Sequence, residues 1–457
     1  MLDINLFRED KGGNPEAVRE SQRRRCKPVE DVDRIIALDR EWIKLRFDVD
    51  EMNKQAKKLQ TSIAEKMKAK DAAGAEAMVA ERQQIIKNKE SIEAEMNAKE
   101  AELKSLLCNM GNLVHESVAP GADERLNPIV RTHFVNGTEP KPLTAEEKAA
   151  LQMLPHHQVL YRLDGYDPER GSKVAGHRGY FLKNIGLRLN QALINYGMDF
   201  LRERGYDLMH TPFLMRKEMM AKCAQLDDFD DQLYKVPNTT ADGQDDSRYL
   251  IATSEQPIAA YHADEWFDEP EKQLPRKYCG YSTCFRKEAG AHGKDTWGLF
   301  RIHQFEKIEQ FCITEPEKSW EMFEQMIGHS EAFYQSLGLS YRIVGIVAGA
   351  LNNAAAKKYD LEAWFPNYGE YKELVSCSNC TDYQSRRLEI RCGLKKLGER
   401  EKRYVHCLNS TLTATERTLC CLLENYQTPE GLKIPEKLRP YLGGLEFVPY
   451  VRPAMKQ

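Results

Sequence analysis

Two charged stretches on either side of residue 297 decide the fold that we predict: residues 285–293 read FRKEAGAHG, and residues 301–309 read RIHQFEKIE. We interpret them as two strands joined by a glycine-rich loop. Residues two apart in a strand lie on the same face, so Arg286 and Glu288 should share a face. The same holds for three residues of the second stretch, Phe305, Lys307 and Glu309. An arginine binds phosphate oxygens through two nitrogens, an aromatic ring stacks on a base, and a carboxylate accepts hydrogen bonds from an amine. The pattern therefore favours a ligand with a phosphate, a purine and an ammonium group.

A surface hairpin with ordinary salt bridges explains the same charges, and the hairpin alone leaves both interpretations open. The order Phe-Arg-x-Glu-x-Gly at residues 285–290 resembles the second signature motif of the class II aminoacyl-tRNA synthetases. The order His-Gln-Phe-x-Lys-x-Glu at residues 303–309 is similar to the seryl-tRNA synthetase version of that motif. The resemblance favours a site that binds a nucleotide and an amino acid.

The composition is typical of a soluble globular protein. The chain has 457 residues, of which 41% are hydrophobic and 30% charged, with a formal net charge of −4. A chain of this length predicts two or three domains, and a nucleic acid would have to be bound by local basic patches. No apolar run approaches the ~20 residues that span a bilayer, and the first residues lack a signal-peptide pattern. We therefore expect no membrane partner, reduced thiols for the twelve cysteines, and a cytoplasmic location.

A heptad pattern begins at residue 38. Its apolar residues alternate in steps of four and three: Leu38, Trp42, Leu45, Val49, Met52, Ala56, Leu59 and Ile63. After an interruption at residues 71–75, a second stretch has the same steps or their sums: Ile85, Ile92, Met96, Leu103, Leu106, Met110 and Leu113, with gaps at Asn88 and Lys99. Such spacing predicts a coiled-coil seam. Two such helices joined by a short turn should form an antiparallel arm, over about 38–113, in an N-terminal domain of residues 1–115.

The surface of this arm is compatible with several functions. Its basic residues are interleaved with glutamates, which is typical of a solvated coiled coil, although as a set they would also suit a phosphate backbone. The arm alone fits a dimerisation coil or a scaffold protein equally well. In the seryl-tRNA synthetases, a helical arm of this type binds the variable arm and elbow of the tRNA, reading shape more than bases. The resemblance therefore implies tRNA(Ser) as a partner, and it leaves open whether selenocysteine tRNA is also charged.

The second predicted domain covers residues 116–457. A helix near residues 184–203 should end before Gly205 and lead into an extended run that closes at Pro212. Many α+β domains have this pattern, which is also similar to the first class II motif. That motif builds the dimer interface in the family, so the resemblance implies a homodimer. The acidic residues 227–248 predict an exposed hairpin tip with no assigned role.

An apolar strand followed by Thr253, Ser254 and Glu255 precedes a predicted helix. In isolation these residues favour a helix cap. Thr-x-Glu at this place resembles the serine-contacting loop of the family.

The sequence Glu373-x-x-Ser376 should lie at the end of a strand, and it resembles a pair that helps to hold Mg²⁺ and ATP. Carboxylate and hydroxyl oxygens suit Mg²⁺. Cys377 and Cys380 follow as a Cys-x-x-Cys pair. No second pair supplies the remaining ligands that a structural zinc requires, so we expect none.

Residues 408–417 (LNSTLTATER) resemble the third class II motif. Thr413 and Glu416 have capping-box spacing, which predicts a helix start with Arg417 in its first turn. A helix N-terminus and an arginine both favour a phosphate. The family often has glycine at position 416, so the local detail here is expected to differ.

The resemblance implies ATP-dependent ligation of L-serine to tRNA(Ser) through seryl-adenylate, with release of AMP and pyrophosphate. The implied fold is α+β, with the antiparallel coiled-coil arm and a class II catalytic domain on an antiparallel β-sheet flanked by helices. The implied ATP-binding residues are Arg286, Lys287, Glu288, Ile302, Phe305, Glu373, Leu374, Val375, Ser376 and Arg417, among which Arg286, Glu373 and Arg417 are catalytic. The implied serine-binding residues are Thr253, Ser254, Glu255, Arg286, Glu309, Asn409 and Thr411. Glu373 and Ser376 would hold Mg²⁺.

Two other classes of protein remain open at this stage. A synthetase-like paralogue would activate serine for another acceptor, and the expected mark of such a protein is a lost arm. A non-enzymatic coiled-coil protein would have no need of Arg286, Glu288 and Arg417 together.

Overall fold

The computed structural model describes residues 1–224, 232–288, 298–393 and 402–454. The chain divides into two compact units, residues 1–113 and 114–457, where the sequence predicted domains of 1–115 and 116–457. Among the described residues, no helix is both long and apolar enough to cross a membrane.

The first unit is built on two long helices. Its helices are α1 (Pro15–Arg24), α2 (Glu30–Lys68) and α3 (Ala72–Asn109). The eight predicted seam positions of α2 are all buried or half-buried. Ion pairs of 2.7 Å join Arg34 to Glu102 and Glu41 to Lys99, so the start of α2 lies beside the end of α3. The predicted antiparallel coiled-coil arm is confirmed.

The turn of the arm is shorter than predicted. Asp71 begins α3 by accepting a hydrogen bond from Gly74 N at 3.0 Å, and Lys70 supplies the reversal with a φ of +59°. Residues 72–75 are therefore helical, where the sequence predicted an interruption. At the other end α3 stops at Asn109, so Met110 and Leu113 of the predicted seam lie beyond the helix.

The second unit is an α+β domain. Its helices are α4 (Ala145–Ala150), α5 (His156–Arg162), α6 (Pro168–Ala175), α7 (Asn184–Arg202), α8 (Lys217–Cys223), α9 (Glu255–Tyr261), α10 (Pro270–Gln273), α11 (Ser319–Ser336), α12 (Tyr383–Leu388) and α13 (Thr415–Tyr426). Its main strands are β1 (Ile129–His133), β4 (Asp207–His210), β9 (Arg276–Phe285), β10 (Gln304–Thr314), β11 (Tyr341–Gly345), β12 (Lys357–Phe365), β13 (Glu370–Asn379) and β15 (His406–Ala414). The short strands are β2 (Tyr166–Asp167), β3 (Phe181–Leu182), β5 (Leu214–Arg216), β6 (Lys235–Val236), β7 (Arg248–Leu250), β8 (Trp266–Phe267), β14 (Arg391–Cys392), β16 (Gly431–Lys433) and β17 (Phe447–Pro449).

The eight main strands form one sheet in the order β1-β11-β12-β13-β15-β10-β9-β4. All neighbours are antiparallel except β4 and β9, which are parallel. The predicted antiparallel sheet flanked by helices is confirmed, with this one parallel pair at an edge.

Helices α7, α11 and α13 supply the core that packs on this sheet. Leu193, Phe323 and Leu419 from these helices are buried together with Ile308 of β10 and Leu361 of β12. Because side chains alternate along a strand, the neighbours of Ile308 and Leu361 point to the other face. That face carries the candidate site.

The elements around the first motif are as predicted. Helix α7 ends at Arg202, Gly205 has a φ of +76°, and β4 follows. Of the predicted hairpin tip at 227–248, residues 227–231 lie outside the described residues. Residues 235–245 are exposed, whereas Leu233 and Ser247 are buried, and the tip turns tightly, with Gly243 N donating to Thr240 O at 2.9 Å.

The hairpin of the second motif departs from the prediction in one respect. Strand β9 ends at Phe285, and β10 begins at Gln304. Arg286 and Glu288 therefore lie beyond the strand, and Glu288 has a φ of +47°. Strand alternation therefore does not relate Arg286, whose N–H still donates to His303 O at 3.0 Å, to Glu288, whose backbone is left-handed. Most of the connecting loop, residues 289–297, lies outside the described residues.

Candidate active site

A cavity of about 460 Å³ lies over β10, β13 and β15. The residues on these strands that line it include Phe305, Lys307, Glu309, Glu373, Ser376, Ser378, Asn409 and Thr411. Residues from the connecting segments and from α9 and α13 complete the lining, among them Thr253, Glu255, Arg286, Glu288, Arg301, Ile302 and Arg417. Glu255 and Glu309 lie together at one end of the cavity, and Arg301 and Arg417 lie at the other with Glu288 and Glu373 beside them.

Glu309 is the buried acid of the carboxylate end, with only 2% of its side chain exposed. Lys307 Nζ lies 2.8 Å from Glu309 Oε2, and Thr411 Oγ1 donates to the same oxygen at 3.2 Å. The lysine compensates the charge that burial would otherwise make costly. This arrangement leaves a small polar pocket with a carboxylate and a hydroxyl held at fixed positions.

Glu255 is the second acid at this end. Its Oε1 accepts hydrogen bonds from Gln384 Nε2 at 2.7 Å and from Asn409 Nδ2 at 3.0 Å. Removal from water raises the pKa of Glu255 to about 7, and the charge of Glu309 contributes to the same shift. A bound cation would stabilise the charged form of a carboxyl group in this position. The pocket therefore suits a small molecule with an ammonium group.

Arg417 anchors the cationic end. Its Nε donates to Phe300 O at 3.1 Å, and its Nη1 lies 4.0 Å from Glu373 Oε1. Burial lowers the pKa of Arg417, as do the charges of Arg286 and Arg301, against the opposing charge of Glu373. Three arginines whose charges act on one another in this way favour a polyanion such as a triphosphate.

Phe305 and Arg286 lie between the two ends. The guanidinium carbon of Arg286 is 5.3 Å from the centre of the Phe305 ring. Glu288 lies on the same side of the cavity, with Oε2 3.6 Å from Arg301 Nη1. An aromatic face, a guanidinium and a neighbouring carboxylate together suit a flat ring that carries an amine.

A cluster of oxygen atoms that could bind a metal ion lies beside Arg417. Ser376 Oγ donates to Asp360 Oδ1 at 2.7 Å and lies 3.4 Å from Glu373 Oε1. Burial raises the pKa of Asp360; Lys358 opposes this shift, and the charge of Glu373 adds to it. Two carboxyl groups and a hydroxyl are donors that Mg²⁺ prefers, with waters or phosphates completing the shell. Within the described ranges, no group of three or more His, Cys, Asp or Glu could hold a metal ion, so this cluster fits Mg²⁺ only together with a ligand.

Comparisons with known proteins agree with these features. Residues 1–114 match the model described as the seryl-tRNA synthetase N-terminal domain, and residues 234–426 match the class II tRNA synthetase core domain (G, H, P, S and T). The cytoplasmic serine–tRNA ligase of Schizosaccharomyces pombe is 58% identical over 99% of this chain and 97% of its own length. The chain belongs to the seryl-tRNA synthetase family. The cytoplasmic serine–tRNA ligase of Saccharomyces cerevisiae is 59% identical over 99% of this chain and 96% of its own length.

Solved structures of seryl-tRNA synthetases match over the same extent. The cytoplasmic serine–tRNA ligase of Naegleria fowleri, solved in complex with AMP, is 51% identical, covers 99% of each chain and has a TM-score of 0.85. The seryl-tRNA synthetase of Pyrococcus horikoshii, solved with ATP, is 36% identical, covers 99% of this chain and 100% of its own, and has a TM-score of 0.86.

Most residues that the seryl-tRNA synthetase resemblance implied come together in the cavity. These are Thr253, Glu255, Arg286, Glu288, Ile302, Phe305, Glu309, Glu373, Leu374, Ser376, Asn409, Thr411 and Arg417. Three do not line it. Ser254 is fully buried, and its hydroxyl donates to Gly280 O at 3.3 Å. Val375 is buried in the sheet core, and Lys287 follows β9 with its N–H bonded to Gln232 O.

The position of Glu373 and Ser376 corrects the sequence-based prediction. They lie inside β13, where the sequence predicted the end of a strand. Residues three apart in a regular strand point to opposite faces, but here Val375 pairs with Leu361 while Glu373 pairs with Glu362. Leu374 is therefore an extra residue, a β-bulge, which brings Glu373 and Ser376 to one side.

The predicted capping box at the third motif is wrong. Helix α13 begins at Thr415 after Ala414, with no side-chain cap. Thr413 Oγ1 instead pairs with Thr418 Oγ1 at 2.8 Å, and the Glu416 carboxyl accepts from Glu306 N. Arg417 still lies in the first turn, as predicted.

Several site residues were not assigned a role from the sequence. Asp360 and Lys358 come from β12, which had no motif, although the alternation of polar residues with Tyr359 and Leu361 was a signal for a two-faced strand. Gln384 gave no local signal, because its contact with Glu255 depends on the tertiary fold.

Proposed function

We propose that this protein is a serine–tRNA ligase that forms seryl-adenylate from L-serine and ATP and then transfers the seryl group to tRNA(Ser). The observation that carries the proposal is the cavity itself, whose lining combines the acids Glu255 and Glu309 with the arginines Arg286, Arg301 and Arg417. The near-full-length similarity to serine–tRNA ligases supports the same reaction. The S. pombe and S. cerevisiae relatives are named cytoplasmic, and we propose that location here.

The triphosphate is expected to bind along the arginines. Arg286 would contact the α-phosphate and Arg417 the γ-phosphate, with adenine stacked on Phe305 and its amine bonded to Glu288. The serine carboxylate attacks the α-phosphorus, and pyrophosphate leaves with the electrons of the broken P–O bond. A carboxylate is already a nucleophile at neutral pH, so positioning and charge stabilisation supply the catalysis.

Serine is expected to occupy the carboxylate end. Its ammonium group would pair with Glu255 near Thr253, and its hydroxyl group would lie between Glu309 and Thr411. Alanine in this pocket would leave buried polar groups without partners. At such sites this lowers kcat/KM by a factor of ~10⁴–10⁵ relative to the correct substrate. Threonine would have to be excluded by its extra methyl group.

Mg²⁺ fits the cluster of Glu373, Ser376 and Asp360 once phosphate oxygens are present. Bound there, the ion would neutralise phosphate charge next to Arg417. The charge of Glu373 is available for this purpose: although removal from water raises its pKa, Arg417 and Lys358 bring that pKa below its usual range. A nearby cation would also stabilise the charged form of the buried Asp360, whose pKa is raised.

The arm is proposed to bind tRNA(Ser). Its exposed lysines include Lys54, Lys57, Lys58, Lys68, Lys70 and Lys87. Each contact with a phosphate would release counterions, so the affinity for tRNA should fall steeply with salt.

The proposed ligase activity is tested by attachment of radiolabelled serine to tRNA(Ser) transcripts, with a tRNA of another specificity as the control. Charging of both tRNAs, or of neither, would contradict the proposal.

The protein is also proposed to be a homodimer through the elements of the first motif. Apolar side chains lie exposed around α7 and β4: Phe181 (46%), Leu187 (54%), Leu208 (47%) and Leu214 (42%). Two neighbouring grooves, of about 500 and 450 Å³, contain Leu187 and Met209 respectively. Exposed apolar area of this kind marks interfaces. Light scattering should show a dimer that Leu187→Asp weakens, whereas Leu151→Asp, at an exposed leucine outside both grooves, should leave it intact.

A further inference from the structure

Glu416 occupies the point where β15 leaves the sheet. Strand β15 ends at Ala414, which pairs with Lys307, while β10 continues beyond that pair to Gln304. The backbone of Glu306 therefore has no strand partner on the β15 side. An unpaired buried backbone group is costly, and something must take over its hydrogen bonds.

The first two residues of α13 supply these bonds through their side chains. Glu306 N donates to both carboxyl oxygens of Glu416, at 3.0 and 3.2 Å. The hydroxyl of Thr415 lies 3.4 Å from Glu306 O and 3.2 Å from Glu416 Oε2, so it can donate to either oxygen. Helix α13 has no N-cap side chain of its own, so this contact with β10 is what fixes its start.

The two residues of this contact, Glu306 and Glu416, each adjoin a residue of the proposed ATP site. Phe305 precedes Glu306 on β10 and faces the cavity, and Arg417 follows Glu416 on α13 and faces it too. We propose that Glu416 is a positioning residue for ATP, because its carboxyl group replaces a strand-to-strand hydrogen bond and so fixes Arg417 relative to Phe305. The inference rests on the proposed ATP-dependent function.

The surroundings indicate that Glu416 acts as a neutral hydrogen-bonding group. It is 1% exposed. Burial raises its pKa well above the usual range, and a hydrogen bond with the Glu306 carboxyl group adds to the shift. Asn190 Nδ2 donates to the other carboxyl group, at Glu306 Oε2 (3.0 Å). Tyr180 donates to Gln304 O at 2.9 Å, with its hydroxyl 3.4 Å from Glu416 Oε1. A glutamine at 416 keeps the acceptor and the neutral shape, whereas an alanine removes both.

The test compares Glu416→Gln with Glu416→Ala, using Glu430→Ala, at an exposed glutamate, as the matched control. Dissociation constants for ATP are measured by calorimetry in the presence of Mg²⁺, and KM values for ATP and serine by pyrophosphate exchange. We expect Glu416→Ala to weaken ATP binding and raise the KM for ATP about tenfold, the effect of one lost buried hydrogen bond. The KM for serine should change less than twofold, and Glu416→Gln and Glu430→Ala should stay within about threefold of the wild type.

Several results would overturn the proposal. They are an unchanged ATP affinity in a folded Glu416→Ala variant, equal losses for serine and ATP, or a Glu416→Gln variant as impaired as Glu416→Ala. Should Glu416→Ala not fold, Glu416→Gln and Thr415→Val decide: near-normal ATP binding is expected for the first and a loss of a few-fold for the second, and the reverse order contradicts the proposal. A wild-type protein that binds ATP without serine-dependent exchange would refute the proposed function, while the calorimetric comparison would still test Glu416.

Discussion

Lowering the pH from 8 to 6 should weaken the use of serine through one group, Glu255. Its pKa is raised to about 7, first by removal from water and then by the charge of Glu309. Only the carboxylate form pairs with the ammonium group of serine. The ionised fraction falls from about nine tenths at pH 8 to about one tenth at pH 6, so kcat/KM for serine should fall about tenfold. The fall toward low pH follows from the raised pKa of Glu255. Its carboxylate form, which supports kcat/KM for serine, predominates above about pH 7 and is lost below it.

The assay is serine-dependent ATP–pyrophosphate exchange at saturating ATP and Mg²⁺, with serine varied at each pH. Saturation with ATP separates Glu255 from Asp360, whose pKa is also raised and whose protonation should affect ATP and Mg²⁺ instead. Glu255→Gln is the decisive variant: it should have a weak and nearly pH-independent kcat/KM for serine. Asp360→Asn should keep the serine profile of the wild type. A flat wild-type profile between pH 6 and 8, or an unchanged profile in Glu255→Gln, would refute the assignment.

Three further predictions concern other parts of the molecule. Arg286→Ala should lower exchange activity by at least ~10²-fold, because it removes the charge that we propose contacts the α-phosphate; near-normal exchange would exclude that role. Deletion of residues 45–107 should spare exchange but reduce serylation of tRNA(Ser) by more than tenfold, and equal losses in both assays would argue against tRNA binding by the arm. Gly280→Ala should destabilise the protein by about 1–3 kcal/mol in urea unfolding, since the added Cβ would lie 2.5 Å from Ser254 Oγ and 2.6 Å from Ile258 Cδ1; an unchanged midpoint would show that α9 can move away from β9.

The arm and the sheet were predictable because their signals are periodic. Every predicted seam position of α2 is buried or half-buried, since a heptad repeat has only one face to bury. The helix ends were less predictable. Helix α2 ends at Lys68 and α3 begins only four residues later, because Asp71 accepts a hydrogen bond from Gly74 N, and no periodic signal marks such a bond.

The site was predictable where one strand carries several of its residues. Phe305, Lys307 and Glu309 share a face of β10 and line the cavity together, as alternation requires. Glu373 and Ser376 share a face only through the bulge at Leu374, and no periodic signal marks a bulge.

Contacts between distant segments could not be predicted from the sequence. Gln384 reaches Glu255 from a position 129 residues later, and the Glu416 carboxyl group bonds to a strand 110 residues earlier. The spacing of Thr413 and Glu416 predicted a capping box because that local alternative has the same pattern. The tertiary contact prevailed because the Glu306 N–H, which has no partner on the β15 side, offered a donor to the buried Glu416 carboxyl group.

The cavity is proposed to activate serine with ATP. ATP–pyrophosphate exchange by the wild-type protein, with serine, alanine or threonine as the only amino acid, decides whether it does. We expect exchange with serine and at least ~10³-fold less with the other two, since alanine has no hydroxyl group to bond with Glu309 and Thr411 and threonine carries an extra methyl group. Equal exchange with all three amino acids, or none with serine, would contradict the claim.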